Sequence, residues 1–458
     1  MIDTGAILDD TLRVLIENKK YAALRDILET MNPSDIAGVF QEIDDDKLPI
    51  LFRLLPKELA AETFVEMDTD RQELIITGFS DAELKEVVDE LYVDDAVDIV
   101  EEMPANVVKR ILRQANPEMR KMINEILNYP EDSAGSIMTT EYVSLRPKMT
   151  VEEAFKRIRR TGVDKETVYT CYVTGDDRTL LGFISIKDLL VADDEDRIGD
   201  IMDPNVISVT TTDDQEAVAR ALSHYNFIAL PVVDKENRLV GIVTIDDAMD
   251  VMEEEATEDI EKMAAIVSSD DKPYLRTNIF EIWKARIPWL LFLMLSATLA
   301  EIVITGFKGT LASVWTLVLF IPMLMGTGGN AGSQAAVTVV RALTLEQIDP
   351  SDIGRVILKE LGASAICGLT LSAAAFLKIY AVNKLLMGNE EITNAFILAV
   401  CAALLLTVVF AKLIGCTLPI AAKKLKLDPA IMASPLITTL IDVVSLLIYF
   451  LLAGRVLL

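Results

Sequence analysis

The chain has 458 residues, 51% of them hydrophobic, and a formal net charge of −28 at pH 7. An acidic excess of that size repels nucleic acid and anionic lipid and attracts cations. A single histidine, His224, and four scattered cysteines with no Cys-x-x-Cys spacing argue against imidazole chemistry, a zinc site and a disulfide framework.

The charge divides the chain. Residues 1–280 hold 30 Lys and Arg against 61 Asp and Glu, whereas residues 281–458 hold 13 against 10. The first part reads as an acidic soluble region with room for two or more domains, the second as an apolar membrane region. The N-terminus is acidic and lacks a basic segment followed by an apolar core, so it does not read as a signal peptide, and the soluble half is expected in the cytoplasm.

Residues 1–132 predict helices throughout, with apolar residues at three- and four-residue spacing, as in Ile36, Val39, Phe40, Ile43. An internal repeat at an offset of 60 aligns Asp35, Glu42, Arg53 and Glu58 with Asp95, Glu102, Arg113 and Glu118. Stacked helical hairpins forming a superhelix fit that pattern. Residues 133–256 change to short β-branched runs between helices, in two copies at about 136–196 and 200–256. Met138 aligns with Met202, Gly182 with Gly241 and Asp188 with Asp247. Each copy reads strand, helix, strand, strand, helix, and resembles a CBS domain. In such modules the hydroxyl and carboxylate at the helix start, Ser185 with Asp188 and Thr244 with Asp247, contact a nucleotide ribose. Helix capping is the alternative, since Ser, Thr and Asp are preferred there anyway.

Residues 245–262 carry nine carboxylates and one base, Lys262. As a helix, this segment places Asp247, Asp250, Glu254, Glu258 and Glu261 near one stripe, where like charges repel. Either the face is solvated or a cation sits opposite it. Five membrane spans are expected next, at about 287–307, 311–340, 361–377, 392–420 and 431–453. The second is expected to be broken at Gly326-Thr-Gly-Gly-Asn-Ala-Gly-Ser-Gln334, which either exposes backbone carbonyls or serves close helix packing. The fourth contains Lys412. Lys and Arg concentrate in the 2–3 and 4–5 loops, which predicts a cytoplasmic N-terminus and an external C-terminus.

Asp442 is the only charge in the last span. A carboxylate at that depth costs about 2.5–3.5 kcal/mol on insertion scales and is expected to face a polar conduit rather than lipid, unless it merely packs against a neighbouring helix. Ser434, Thr438 and Thr439 add hydroxyl oxygens along the same helix. Together with Gly328, Asn330 and the nearby carbonyls they form an all-oxygen environment suited to a hard, hydrated cation such as Mg²⁺.

The sequence resembles the MgtE family of magnesium channels over essentially its whole length. The resemblance is carried by PMLMGTGGNAGSQ (322–334), LDPAIMASPLITTLIDV (427–443) and DDAMDVMEEEATEDI (246–260). It implies a multidomain protein: an all-α superhelical N domain (1–132), α/β tandem CBS domains (133–256), a connecting plug helix (257–282) and an α-helical transmembrane pore domain of five spans (283–458). It further implies a homodimer in the cytoplasmic (inner) membrane with its pore between protomers. In that pore Asp442 coordinates hydrated Mg²⁺, with Asn330, Gly328, Thr438, Thr439 and Ser434 around it.

Magnesium is then both substrate and regulator. Glu62, Asp94 and Asp98 in the helical domain, with Asp247, Asp250, Glu255, Glu258 and Asp259 on the CBS and plug side, would hold the ions that close the channel. A nucleotide site for ATP would draw on Ser185, Asp188, Lys187, Phe227 and Thr170. Departures are Asn226, where an acidic ligand can occur, Ser434 in place of a pore Asn, and Lys187 and Thr170 in place of larger contacts. The competing readings are an ion-coupled carrier of a divalent cation with nucleotide-sensing CBS domains, and a non-conducting membrane sensor. No nucleophile–base pair, P-loop or hydrolase motif points to an enzyme.

Overall fold

The computed structural model describes residues 12, 14–16, 18–162, 165–267, 274, 277–432 and 434–457. The Ser434 side chain, expected at the pore, lies outside the described set. The chain forms two compact units, Met1–Glu254 and Glu255–Leu458.

The first unit begins with short helices: α1 (Tyr21–Leu28), α2 (Pro33–Gln41), α3 (Leu48–Phe52), α4 (Lys57–Val65), α5 (Thr69–Gly78), α6 (Asp81–Val88), α7 (Val93–Glu102), α8 (Ala105–Gln114) and α9 (Pro117–Ile126). The offset of 60 read from the sequence reappears in the element starts, α2 and α7 at 33 and 93, α4 and α9 at 57 and 117. Local signals start several of them. Asn32 and Asn116 cap α2 and α9 with proline next in line, and Ser80 with Glu83 makes a reciprocal capping box on α6. The apolar stripes meet in one core, where Phe52 packs against Phe40, Phe64 and Phe79 at centroid distances of 6.3, 6.1 and 5.7 Å.

Two three-stranded sheets follow, β1-β2-β3 (Tyr142–Leu145, Thr167–Thr174, Leu180–Ser185) and β4-β5-β6 (Val209–Thr210, Ala229–Val233, Leu239–Thr244). In each the first pair is parallel and the second antiparallel. The parallel pairs are joined by α10 (Val151–Thr161) and α13 (Gln215–Tyr225), as a right-sized crossover requires. The third strands feed α11 (Ile186–Val191) and α14 (Ile245–Met263), with α12 (Ile198–Ile201) between the copies. The two glycines matched by the repeat are explained across the copies. A methyl on Gly182 would strike Met202 and the Asp203 carbonyl, and one on Gly241 would strike Met138 and the Thr139 carbonyl. Each Ile-Met start thus lies on the other copy's sheet, where Phe183 pairs with Asp203 and Thr139 with Ile242.

The second unit contains the rest of α14 and then α15 (Ile279–Gly306), α16 (Lys308–Ser313), α17 (Ile321–Thr344), α18 (Ile353–Lys378), α19 (Asn394–Lys424) and α20 (Ser434–Val456). Four of the described helical segments are long and apolar enough to cross a bilayer: Ile279–Gly306, Pro350–Leu386, Asn394–Lys424 and Pro435–Val456. The expected second span differs from its prediction in two ways. Residues 308–320 form α16 and a 3-10 turn, and α17 runs unbroken through the Gly-rich series, which is where the expected break was placed. With four glycines, Asn330 and Gln334 in it, α17 also falls short of the apolar content of the other four.

Packing explains the continuity. Gly328 faces Thr407 and Ser445, Gly329 faces Thr438, Gly332 faces Ile441 and the Ala411 carbonyl, and Gly415 of α19 abuts the Gly332 carbonyl. The small residues let α17 approach α19 and α20 closely, and their own hydrogen bonds stay helical. Overpacking typically costs about 1–3 kcal/mol. Gly332→Leu is therefore expected to lower the thermal midpoint of the detergent-solubilised protein by roughly 5 °C. Asn330→Ala, on the exposed face of the same helix, is expected to leave that midpoint unchanged.

Candidate functional site

Asp442 lies at mid-length of α20, half-buried, and its Oδ1 is buried without a hydrogen-bond partner among the described residues. One turn earlier Thr438 Oγ1 lies 3.4 Å from Ser333 Oγ of α17, which ties the two helices together beside the carboxylate. Thr439 bonds back to the Pro435 carbonyl at 3.0 Å and does not present a free hydroxyl proton to the helix surface. Gly328 is buried in helical backbone at the α17–α19–α20 contact, so of the two roles left open for it the structure displays packing. Asn330 and Gln334, one turn apart, stand on the exposed face of α17, and Ser333, Gln334, Val337 and Thr338 line a cavity of ≈ 560 Å³. Elsewhere in this unit Lys412 of α19 pairs with Glu360 of α18 at 3.7 Å, both largely buried.

In the first unit, α7 carries Asp94, Asp95 and Asp98 toward the β6–α14 corner. Asp94 is 6% exposed and its Oδ1 has no hydrogen-bond partner among the described residues. Burial, then the charge of Asp247, raises its carboxyl well above the usual range. Burial and Asp247 likewise push Asp95 up to about 7. Asp98 rises to about 8 from burial among the same groups and the charges of Asp247 and Asp95, although its side chain keeps contact with solvent. Asp247 itself is raised to about 6 by burial, against the lowering effect of its hydrogen bond from Thr244. Asp250 is raised by burial and by Asp246, Glu66 and Glu253.

Glu62 meets that group only through Asp95. It is exposed and lines a cleft of ≈ 960 Å³ together with Glu58, Asp89, Asp95, Glu118 and Glu141. The sequence reading missed Glu141 and Glu166. Glu141 accepts from the Thr139 hydroxyl at 2.8 Å and from the Val93 N–H at 3.3 Å, so it caps α7, whose own N-cap Tyr92 supplies no side-chain bond. Glu166 is pushed up to about 8 by burial and by Asp246, and its Oε2 is buried with no hydrogen-bond partner among the described residues. Both lie in the first CBS copy outside any acidic run, where no sequence signal marks them.

Among the described residues no three Asp, Glu, His or Cys side chains converge tightly enough to ligate one ion directly. The fit is to a cation that keeps its water and touches the protein through one or two carboxylates, as Mg²⁺ does. The buried Asp94 oxygen, with no partner among the described residues, is a point that such an ion, a proton or a water would satisfy. Acids raised in the fold hold protons that the unfolded chain releases, from about pH 4 up to about 8 for Asp98 and Glu166. Stability of this unit is thus present at the acid end of that window and falls as pH rises through it. Limited proteolysis of the purified protein in EDTA should accordingly slow between pH 8 and pH 6, and millimolar Mg²⁺ at pH 8 should slow it equally. Identical cleavage under all three conditions would mean a solvated acidic face.

The expected nucleotide residues are arranged as caps. Ser185 Oγ donates to Asp188 Oδ2 at 2.6 Å and accepts from the Asp188 N–H at 3.1 Å, while Asp247 Oδ2 accepts from both the hydroxyl and the backbone N–H of Thr244. Thr170 is the β2 register partner of Ser185, Lys187 is exposed at the start of α11, and Phe227 stacks on Tyr225 at 5.4 Å. In the second unit, Glu258 and Asp428 both pair with Lys262, and Asp259 is raised by burial and by Asp428. Glu255, at the start of the second unit, is half-buried and engaged.

Three family profiles cover the chain: a divalent cation transporter, MgtE, at residues 321–452; the MgtE intracellular N domain at 31–132; and the CBS domain at 134–195 and 198–254. The magnesium transporter MgtE of Thermus thermophilus is 39% identical over 96% of both chains. That of Bacillus subtilis is 32% identical over 95% of this chain and 94% of its own. Among solved structures, the cytosolic domain of the Mg²⁺ channel MgtE in complex with ATP matches 53% of this chain and 99% of its own at 38% identity and a TM-score of 0.51. The soluble part of a magnesium transporter matches 55% of this chain and 99% of its own at 31% identity and a TM-score of 0.52.

Proposed function

We propose that this chain, which belongs to the MgtE family of divalent cation transporters, is a Mg²⁺-selective channel that admits magnesium across the cytoplasmic membrane and is closed by cytosolic Mg²⁺. The observation that carries the reading is Asp442, a carboxylate at mid-helix with a buried, unpartnered oxygen. In a membrane such a group requires a cation, a proton or a water path. The hydroxyl pair Thr438–Ser333 beside it offers neutral oxygens to the hydration shell of a passing ion. The names of the relatives, magnesium transporters over nearly the full chain, support the choice of ion.

The polar face of α17 supports a homodimer. Asn330 and Gln334 are exposed, and a lipid-facing helix does not carry them without cost. A second copy of the same face would enclose a wet path between protomers. The Lys and Arg flanking the 2–3 and 4–5 loops support a cytoplasmic N-terminus and an external C-terminus. The domain divisions are placed near residues 132, 256 and 282. Closure is assigned to Mg²⁺ bound by Glu62, Asp94, Asp98, Asp247, Asp250, Glu255, Glu258 and Asp259, with Asp95, Glu141 and Glu166 completing the acidic surroundings. ATP is assigned to the Ser185–Asp188 corner with Thr170, Lys187 and Phe227, in line with the ATP complex of the related cytosolic domain. The chemistry is transport rather than catalysis.

The test is growth and Mg²⁺ uptake in a magnesium-requiring strain that lacks its own transporters. Uptake with no stoichiometric proton or Na⁺ movement supports the channel, whereas obligatory counter-ion movement would replace it with a coupled carrier.

A further inference from the structure

Lys262 is the only base of the acidic stretch 245–262, and the structure shows where its charge goes. Its ammonium lies 2.6 Å from Glu258 Oε1 and 2.7 Å from Asp428 Oδ2. Glu258 is one turn back on the same helix, and Asp428 sits in the turn between α19 and α20. That turn holds Asp428 in place, because its Oδ1 accepts from the Ala430 N–H at 2.8 Å. Asp259 lies close enough for the charges of Asp428 and Glu258 to act on it. Two carboxylates therefore share one ammonium with a third nearby, and the side chains of Lys262, Glu258 and Asp428 are 26%, 39% and 30% exposed, neither fully solvated nor sealed.

A lysine head is a compact point charge on a flexible stem, so it can stand where a small mobile cation would stand. We propose that Lys262 is a tethered counter-ion: it pins the connecting helix to the α19–α20 turn when no divalent cation bridges the two, and so sets how often the channel is closed in the absence of Mg²⁺. This rests on the reading that the connecting helix is the plug.

The sign of the effect follows from counting states. With the helix released, Lys262 has no Asp428 to bind. With a divalent cation bridging the acids, the ammonium is displaced from Asp428. Its bond to Asp428 therefore favours one state alone, the closed state without a bound ion. Losing the lysine should open the ion-free channel and leave closure at saturating Mg²⁺ intact. A lysine that merely competed with Mg²⁺ would produce a lower Mg²⁺ requirement and no change without the ion.

The measurement is single-channel open probability of the full-length protein in membrane patches, with the cytosolic face first free of Mg²⁺ and then titrated with it. Lys262→Met should lower the ion-free closed-to-open ratio roughly threefold to fivefold per protomer, the ceiling for a part-exposed ion pair. Lys262→Arg should retain the wild-type ratio, and exchanging the charges in Lys262→Glu with Asp428→Lys should restore most of it. If Lys262→Met and wild type share the same ion-free ratio, the tether is overturned while the gating reading stands. If wild type does not close as Mg²⁺ rises, the gating reading fails whatever Lys262 does.

Discussion

Asp442→Asn is expected to abolish Mg²⁺ flux, or to leave a residual conductance that no longer prefers Mg²⁺ over Ca²⁺, while the protein folds and inserts normally. Asparagine is nearly isosteric with aspartate, and Oδ1 makes no hydrogen bond that the change would break. What disappears is the charge. One unit charge 4 Å from another interacts by about 4 kcal/mol at an effective dielectric near 20, and a divalent ion doubles that figure. If only a third of the doubled value survives the cost of dehydration, the loss is still on the order of a hundredfold in occupancy. Asp442→Glu keeps the charge but moves it by a methylene, so it should retain part of the flux. Asn330→Ala should cost less than either, because Gln334 and the hydroxyls of Ser333 and Thr438 remain near that face. Unaltered Mg²⁺ flux and unaltered Mg²⁺ over Ca²⁺ preference in Asp442→Asn would remove the carboxylate from the conduction path.

The depth of Asp442 was legible because a lone charge in an apolar run of bilayer length has few explanations. The helical repeat was legible for a similar reason, since 60-residue self-similarity is local bookkeeping and reappears in the starts of α2, α4, α7 and α9. Sequence periodicity carries no information on what one copy does to another. The pairing of Met138 with Met202 and of Gly182 with Gly241 was visible, yet the structure crosses them, with Met202 against Gly182 and Met138 against Gly241. The glycine series of α17 shows the same limit from another side. Taken alone, the chain leaves a helix break and close helix packing both open for this series, whereas Ile441, Thr438, Thr407 and the Ala411 carbonyl make Gly328, Gly329 and Gly332 a contact surface. Glu141 and Glu166 were invisible because their role depends on burial near α7, whose Val93 N–H Glu141 accepts from 48 residues away. Burial converts an ordinary surface acid into one that holds its proton near neutral pH, and composition does not record burial.

The second large effect concerns the switch. Replacing Asp247, Asp250 and Asp259 together by Asn is expected to leave the channel open at cytosolic Mg²⁺ concentrations that close the wild type. Asn suits the test better than Ala, since at 247 its carbonyl can still accept from the Thr244 hydroxyl and keep the start of α14 capped. Two mechanisms predict opposite signs. If Mg²⁺ closes the channel only by screening repulsion, the neutral variant already resembles the screened state and should stay closed without the ion. If defined carboxylate oxygens hold the hydrated ion in place, the variant loses the ligands and cannot be closed by it. Burial and neighbouring carboxylates both raise the carboxyls of Asp247, Asp250 and Asp259. Repulsion is relieved by any cation, however, including K⁺ at cytosolic strength, and exposed charges are screened within about 8–10 Å at physiological salt. Selective closure by Mg²⁺ therefore needs placement of oxygens around a small ion that gives up its water reluctantly. A ligand can shift an equilibrium only by its differential affinity for the two states, so removing the ligands of the closed state removes the shift. Open probability of the triple variant against cytosolic Mg²⁺ decides between them: an open channel at high Mg²⁺ supports coordination, a channel closed in EDTA supports screening, and closure at the wild-type concentration would take all three residues out of the gate.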